Sequence, residues 1–333
     1  YDIVDLNNCP PVCPSLENSK TTISFVGLFD LLVLCLRDYI KKSGFSQVVI
    51  ASSGGVDSAV VCKLACEALG PKNVHAIRLP SVFSSKHSRD DALRLHENLG
   101  CWDYEVPIDH EGVVTMLTKR FAIHNVRENL VTNVLQSGSY QSIADENMQA
   151  RLRDIYVMHF SNAFGAIPLS TGNKTESACG YYTHFDMNFS FAPIKDLYKY
   201  QVIEIAKQCS DIPANIWQKA PSAELAEGQR DEETLLPYAV LDPIVRAYIE
   251  DYVSNFEGFN LWVKRHNAEK ISSDTEFLTA WLASDSAEID FERILSLMGK
   301  MEFKRRQTCP GTKVSKVAFG MGRRVPIVEK WTP

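Results

Sequence analysis

The sequence has no long uninterrupted apolar run. The longest candidate, residues 26–36, contains Asp30. A helix that spans a bilayer needs roughly 18 consecutive apolar residues, so this segment is too short and predicts a core helix instead. We therefore expect neither a transmembrane segment nor a membrane partner.

An excess of positive charge is also missing. The 333 residues include 35 Lys and Arg against 41 Asp and Glu, which gives a net charge of −6. Proteins that hold nucleic acids by their phosphates usually carry a basic surface. The charge balance therefore argues against nucleic acid as a partner.

The cysteines lack a disulfide or metal-binding pattern. The nine are scattered, their number is odd, and Cys9 and Cys13 form the one close pair outside a predicted element. No second pair or histidine follows them at the spacing of a zinc site. We expect reduced, mostly buried thiols and hence a cytoplasmic protein.

What the sequence does contain is an alternation of short β-branched segments with helical patterns. This alternation predicts a parallel sheet with right-handed crossovers. The predicted strands are residues 46–50, 73–80, 102–106 and 166–172. We predict an α/β fold, a doubly wound parallel sheet flanked by helices, with a helical C-terminal region.

Helices are predicted from apolar periodicity and from the glycines that end them. They are residues 24–42, 57–70, 87–99, 145–164, 173–179, 198–208, 241–263, 272–282 and 289–300. Residues 1–20 hold three prolines and no periodicity, so we predict an arm or linker there. Residues 21–333 then form one domain. The acidic stretch 221–237 is predicted to be a surface loop or lid.

One segment joins the first strand to the next helix and carries chemistry, Ser53-Gly54-Gly55-Val56-Asp57-Ser58. Two glycines allow a tight turn and the close approach of a ligand. Hydroxyls and free N–H groups at a helix N-terminus suit phosphate. Asp57 alone would repel a phosphate, so we expect Mg²⁺ between the two.

This segment resembles the SGGxDS motif of the ATP pyrophosphatases, the adenine nucleotide α-hydrolase-like or PP-loop enzymes. It matches neither the P-loop nor the dinucleotide-binding glycine motif. The resemblance implies cleavage of ATP between its α- and β-phosphates, with adenylation of a substrate and release of pyrophosphate.

Four further segments narrow the resemblance. They are Ser170-Thr171-Gly172-Asn173-Lys174-Thr175-Glu176, Ala192-Pro193-Ile194-Lys195-Asp196-Leu197-Tyr198-Lys199, Pro221-Ser222-Ala223-Glu224-Leu225 followed by Gln229-Arg230-Asp231-Glu232, and Phe303-Lys304-Arg305-Arg306-Gln307 followed by Pro310-Gly311. Together, in this order, they resemble the NAD⁺ synthetases over nearly all of the chain after residue 24. The resemblance implies that the nicotinate carboxylate of deamido-NAD⁺ attacks ATP to form an adenylate. Ammonia then displaces AMP and leaves an amide.

The resemblance also assigns roles by matching position. It implies ATP contacts at Ser53, Gly54, Gly55, Ser58, Arg78, Thr171 and Lys199. It implies Mg²⁺ ligands at Asp57 and Glu176. It implies deamido-NAD⁺ contacts at Asn147, Arg151, Asp186 and Lys304. Asp57, Lys199 and Lys304 are the implied catalytic residues. Near Asp186 the family often has Gly-Asp-Gly, which this chain lacks.

The nitrogen source has two predicted alternatives. One branch of the family uses free ammonia as a short homodimer, and the other adds an N-terminal glutaminase. The C-terminal segments resemble the glutamine-dependent branch, whereas the chain has no room for a glutaminase domain. We expect ammonia as donor. The alternative is the synthetase portion of a longer enzyme, with a glutaminase domain or partner elsewhere.

Two other interpretations compete with the NAD⁺ synthetase prediction. Another ATP pyrophosphatase, such as a GMP synthetase-like amidase or a tRNA-thiolating enzyme, shares the first motif. A regulatory ATP- or NAD-binding domain of the same fold could lack the chemistry, but Asp57, Glu176 and Lys199 are all present. We expect a homodimer because the resemblance places the deamido-NAD⁺ site at a two-fold interface.

Overall fold

The computed structural model describes residues 25–123, 143–183, 189–221, 224–226, 235–266 and 270–320. The predicted arm, residues 1–20, and Asp186 lie outside these ranges. Most of the predicted loop 221–237 also lies outside them. These predictions therefore stay predictions.

Four parallel strands form one sheet in the order β3-β2-β1-β4. The strands are β1 (Val48–Ala51), β2 (Val74–Arg78), β3 (Trp102–Glu105) and β4 (Ile167–Leu169). Val48 pairs with Val74 on one side and with Ile167 on the other. All four predicted strands and their parallel direction are confirmed, with bounds a few residues shorter.

The helices follow the predicted alternation in most places. The helices in the described residues are α1 (Phe25–Lys42), α2 (Val56–Leu69), α3 (Lys86–Leu99), α4 (His110–Ile123), α5 (Ile143–Phe164), α6 (Lys174–Cys179), α7 (Lys199–Gln208), α8 (Ala214–Gln218), α9 (Tyr238–Asp251), α10 (Phe256–Arg265), α11 (Thr275–Leu282), α12 (Ala287–Lys300) and α13 (Glu302–Arg305). A short 3₁₀ turn, Pro71–Asn73, precedes β2. The helices α4, α8 and α13 go beyond those predicted.

Alternate residues of β1 face two separate cores, because strand side chains alternate between the faces of a sheet. Val48 and Ile50 join a core that contains residues of α1, α2 and α7. Val49 and Ala51 join a smaller core with Val157 of α5. Helices therefore cover both faces of the sheet, which confirms the doubly wound arrangement.

A third core lies mostly in the C-terminal helices and also includes Cys179 of α6 and Tyr200 of α7. Phe259, Leu278 and Phe291 have no solvent exposure there, and they bring together α10, α11 and α12. The rings of Phe259 and Phe291 stack with centroids 5.2 Å apart. This core confirms the helical C-terminal region. Among the described helices, none is long and apolar enough to cross a membrane.

The single helix predicted over residues 241–263 is wrong, because the chain forms α9 and α10 there. Tyr252 ends α9 in a left-handed conformation with φ of 58°. Asn255 then begins α10, and its side chain accepts the backbone N–H of Gly258 at 2.7 Å. An asparagine that caps a helix N-terminus satisfies a donor that the helix itself leaves unpaired. The break therefore has a local cause.

Candidate active site

The turn after β1 lies at the carboxyl end of the sheet, where ligands bind in open α/β folds. Gly54 adopts a φ of 75°, and a Cβ there would lie 2.2 Å from the backbone oxygen of Ser88. Both the conformation and the close approach therefore require glycine. This packing brings the turn against the start of α3.

Hydroxyl groups hold the turn in shape. The Oγ atoms of Ser53 and Ser58 lie 3.2 Å apart, and the Gly55 N–H donates to Ser53 Oγ at 3.2 Å. Ser58 Oγ donates to the Gly55 carbonyl at 3.0 Å. The turn leads into α2, whose first turn carries Asp57. The predicted phosphate turn is therefore a preformed loop at a helix N-terminus, as anion binding requires.

A second carboxylate reaches the loop from α6. Asn173 caps this helix, since its side chain accepts the Glu176 N–H at 2.9 Å while the Glu176 carboxylate accepts the Asn173 N–H at 3.3 Å. Asn173 also donates its side-chain amide to Asp57 Oδ1 at 2.9 Å. One amide side chain therefore connects the two predicted metal ligands.

Lys199 lies between these carboxylates. Its ammonium donates to Asp57 Oδ2 and to Glu176 Oε1, the latter at 3.2 Å. The Lys199 side chain is only 3% exposed, against 17% for Asp57 and 18% for Glu176. The structure thus brings together three residues that the sequence analysis assigned to separate motifs.

A cleft of about 620 Å³ opens in front of this cluster. Asp57, Ser53 and Lys199 line it, and so do Asn147 and Lys304. Its volume falls within the ~300–1,000 Å³ that is usual for small-molecule sites. The remaining lining includes apolar side chains, among them Leu225, Leu235, Leu297 and Met301.

Arg78 and Thr171 line a smaller cavity of about 140 Å³ beside the turn. Arg78 is 8% exposed and pairs with Asp103 at 2.7 Å and with Glu105. Thr171 contributes to this cavity, to the main cleft and to a third cavity of about 150 Å³. It therefore lies where the three spaces meet.

Two of the predicted deamido-NAD⁺ contacts, Asn147 and Lys304, line the cleft. Asn147 accepts a hydrogen bond from Thr183 at 2.6 Å. Lys304 donates to the carbonyls of Gly180 and Tyr182 at 2.8 and 2.7 Å. Burial, together with the positive charge of Arg151, lowers the pKa of Lys304. Asn147 and Lys304 thus both bond to the segment 180–183, and Arg151 lies near enough to Lys304 for their charges to interact.

Arg153 was missed by the sequence analysis in favour of Arg151. The structure places Arg153 on the lining of both the cleft and the small cavity, and its Nε donates to the Leu79 carbonyl at 3.0 Å. Arg151 is absent from the described lining of either space. Because both residues share α5, the sequence offered no local signal for choosing between them.

A sequence profile of the NAD synthase family matches residues 28–279, which include the turn, Glu176 and Lys199. The chain belongs to the NAD synthase family. Its members are amide-forming ligases that bind ATP. The family therefore agrees with a site built from a phosphate turn and two carboxylates.

Curated relatives extend this similarity along the chain. The glutamine-dependent NAD(+) synthetases of Thermotoga maritima and Synechocystis are each 38% identical over 311 residues. The alignments cover 91% and 92% of this chain but 48% and 49% of the relatives. The chain thus spans about half the length of the curated relatives it matches.

The chain is also similar to solved structures of synthetases. The glutamine-dependent NAD⁺ synthetase from Acinetobacter baumannii, in complex with ADP, is 29% identical with a TM-score of 0.53, over 95% of this chain and 52% of that one. An NMN synthetase from Francisella tularensis is 29% identical with a TM-score of 0.58, over 75% of this chain and 98% of that one. A glutamine-dependent NAD(+) synthetase from Cytophaga hutchinsonii, 17% identical with a TM-score of 0.67, supports the fold alone, over 92% of this chain and 54% of that one.

Proposed function

We propose that this chain converts deamido-NAD⁺ to NAD⁺ in two steps that consume ATP. The nicotinate carboxylate attacks the α-phosphorus of ATP, which forms an adenylate and expels pyrophosphate. Ammonia then attacks the acyl carbon, and AMP leaves. The observation that carries the proposal is the cluster of Asp57, Glu176 and Lys199 in front of the cleft, next to the phosphate turn.

ATP binds with its phosphates on the turn and its nucleoside toward the small cavity. Ser53, Gly54, Gly55 and Ser58 receive the phosphates with hydroxyl and N–H groups at the α2 N-terminus. Arg78 and Thr171 line the adjoining space and contact the nucleotide. This placement directs the α-phosphate into the cleft, where the second substrate reaches it.

Mg²⁺ fits the two carboxylates, because one ammonium contacts both of them and they converge on a single cationic position. In the described part of the chain, no three His, Cys, Asp or Glu side chains form a complete metal site. Magnesium usually takes one or two carboxylates and fills its shell with water and substrate phosphates. Asp57 and Glu176 would hold the ion, and it would neutralise charge on the phosphates.

Lys199 and Lys304 supply the remaining positive charge. The buried ammonium of Lys199 lies beside Asp57 and stabilises negative charge that develops on the phosphates. Lys304 uses two of its three N–H groups on backbone carbonyls. The third N–H is available to the substrate. Asn147, Arg151 and Asp186 complete the deamido-NAD⁺ contacts in this proposal.

Ammonia is the nitrogen nucleophile in this proposal. It is supplied either as free ammonia or by a glutaminase domain or partner, since the relatives are named glutamine-dependent. We also propose a homodimer that acts on small molecules in the cytoplasm. The described cysteines are all unpaired thiols, which suits a reducing compartment.

The test measures NAD⁺ formation from deamido-NAD⁺, ATP and Mg²⁺, with ammonium in one reaction and glutamine in another. Nicotinate mononucleotide replaces deamido-NAD⁺ in a third, because one structural relative is named an NMN synthetase. We expect activity with ammonium and deamido-NAD⁺, lost in Asp57→Asn and kept in Asp38→Asn, an exposed aspartate paired with Lys42. Preference for nicotinate mononucleotide, or ATP binding without product, would contradict the proposal.

A further inference from the structure

A chain of polar side chains runs behind the phosphate turn, from Ser52 to Arg78. Ser52 Oγ lies 2.8 Å from His96 Nε2, and His96 Nδ1 lies 2.5 Å from Asp103 Oδ1. Ser52 is 4% exposed, His96 1% and Arg78 8%. These hydrogen bonds therefore connect α3 with three neighbouring strands, and every member except Asp103, which is 24% exposed, is buried.

Asp103, the carboxylate in this series of hydrogen bonds, holds Arg78 in place. Its Nε donates to Asp103 Oδ1 at 2.8 Å and its NH2 group to Asp103 Oδ2 at 2.7 Å. A third bond from NH1 reaches Glu105. A guanidinium has five N–H donors, so these bonds leave others for a ligand. Arg78 and Ser52 both line the cavity beside the turn.

The hydrogen positions follow from the partners. The Asp103 carboxylate only accepts, because bonds from Arg78 and His96 outweigh burial and lower its pKa. His96 Nδ1 therefore donates to Asp103. Burial, aided by the charge of Arg78 and opposed by Asp103, lowers the pKa of His96. The ring is thus neutral near pH 7, and Ser52 donates to its Nε2.

We propose that His96 is a positioning residue of the ATP site. Through Ser52 it fixes the residue directly before the phosphate turn, and through Asp103 it fixes the plane of the Arg78 guanidinium. Without the imidazole, a buried hydroxyl loses its acceptor and Asp103 loses one of its donors. The phosphate turn and the Arg78 guanidinium, which both contact ATP in the proposed site, are then held less firmly. This inference rests on the proposed ATP site.

The order of serine, imidazole and carboxylate also occurs in hydrolases. There the carboxylate stabilises an imidazolium that forms when the serine gives up its proton. Here Arg78 pairs with Asp103 through two hydrogen bonds, and its positive charge disfavours an imidazolium. The geometry therefore favours fixed hydrogen bonds over proton transfer.

Three variants of His96 separate the two hydrogen bonds. An asparagine amide overlaps the position of Nδ1, so His96→Asn retains a donor toward Asp103. A glutamine amide reaches the position of Nε2, so His96→Gln retains a partner for Ser52. His96→Leu retains neither. His75→Leu is the matched control, because His75 is also buried and bonded on both nitrogens, to Tyr104 and Gln47, each at 3.1 Å.

We expect His96→Leu to raise the KM for ATP about tenfold, the usual effect of losing one buried hydrogen bond. The KM for deamido-NAD⁺ and kcat change less than about threefold, since His96 is not among the residues that line the cleft. His96→Asn and His96→Gln each recover part of the affinity. Calorimetry with a non-hydrolysable ATP analogue is expected to rank the affinities in the same way, with the wild type tightest, the two amide variants intermediate and His96→Leu weakest. The control leaves ATP binding unchanged.

The inference is overturned if all three His96 variants bind the analogue as the wild type does, or if His75→Leu weakens binding equally. Hydrolysis of p-nitrophenyl acetate that disappears in Ser52→Ala would assign the chain to nucleophilic catalysis instead. A wild-type chain that binds the analogue but forms no NAD⁺ contradicts the proposed function alone. If His96→Leu fails to fold, His96→Asn and His96→Gln still test whether His96 positions the ATP site.

Discussion

Asp242 offers a prediction that can be worked out quantitatively. It lies on α9 with 0% exposure and accepts hydrogen bonds from Thr175 Oγ1 at 2.5 Å and from the Tyr200 N–H at 2.8 Å. Thr175 directly precedes Glu176. Tyr200 directly follows Lys199. One buried carboxyl group therefore joins the two segments that carry the cluster.

Burial raises the pKa of Asp242 from 3.8 to about 6, although its hydrogen bonds oppose the shift. Between these values the folded protein keeps a proton that the unfolded chain has released. The Asp242 carboxyl group therefore stabilises the folded protein at low pH. This stabilisation is lost as the pH rises through the pKa that Asp242 has in the folded protein. The full shift of the Asp242 pKa from 3.8 to about 6 corresponds to ~3 kcal/mol in the free energy of unfolding. About 1.4 kcal/mol of that develops between pH 5 and pH 8.

Asp242→Asn removes the titration and keeps a side chain of similar shape. The amide oxygen can accept from Tyr200, and the amide nitrogen can donate to Thr175. We expect the wild type to lose about 1.4 kcal/mol more than the variant between pH 5 and pH 8. Urea unfolding, followed by tryptophan fluorescence at both pH values, measures the difference. Other titrating groups are common to both proteins and cancel.

Asp251→Asn is the control. Hydrogen bonds from Trp262 and Lys316 outweigh burial and lower the pKa of Asp251 below its ordinary 3.8. Its titration is therefore complete below pH 5, so this variant loses similar stability at pH 5 and pH 8. Parallel profiles for wild type and Asp242→Asn would refute the reasoning, because they would show that the Asp242 carboxyl group does not titrate in this range.

Three further predictions concern single positions. Asp57→Asn abolishes pyrophosphate release and leaves the circular dichroism spectrum unchanged; continued release would contradict the Mg²⁺ assignment. Gly54→Ala costs ~1–3 kcal/mol and removes the thermal shift produced by ATP, because its φ is 75° and a Cβ would meet a backbone oxygen at 2.2 Å. Lys174→Met costs ~3–5 kcal/mol in urea unfolding, since it leaves Asp196 and Glu250 buried without their ammonium.

The sheet could be predicted because its information is local. Short β-branched runs at the right spacing predict strands, and helices between them force a parallel direction. The break between α9 and α10 had a local signal too, since Asn255 is a good N-cap immediately before Phe256. Apolar periodicity continued across that point, and the periodicity was given too much weight.

The two arginines of α5 show a different limit. Successive residues of a helix are about 100° apart, so Arg151 and Arg153 point in directions that differ by roughly 200°. Apolar residues occur all around this helix, so its pattern does not tell which side faces the cleft. Only the packing of α5 against the sheet places Arg153 on the lining.

The cluster itself is a product of tertiary structure. Lys199 and Asp57 are separated by 142 positions, and no local pattern shows that the ammonium lies between two carboxylates. The positions of Lys199 and Glu176 also depend on a group outside every motif, Asp242 of α9, which bonds to their neighbours Tyr200 and Thr175. The C-terminal helices therefore act as a frame for the site. It follows that a substitution in α9 that moves Asp242 alters adenylation, even though α9 contributes no group to the phosphate turn.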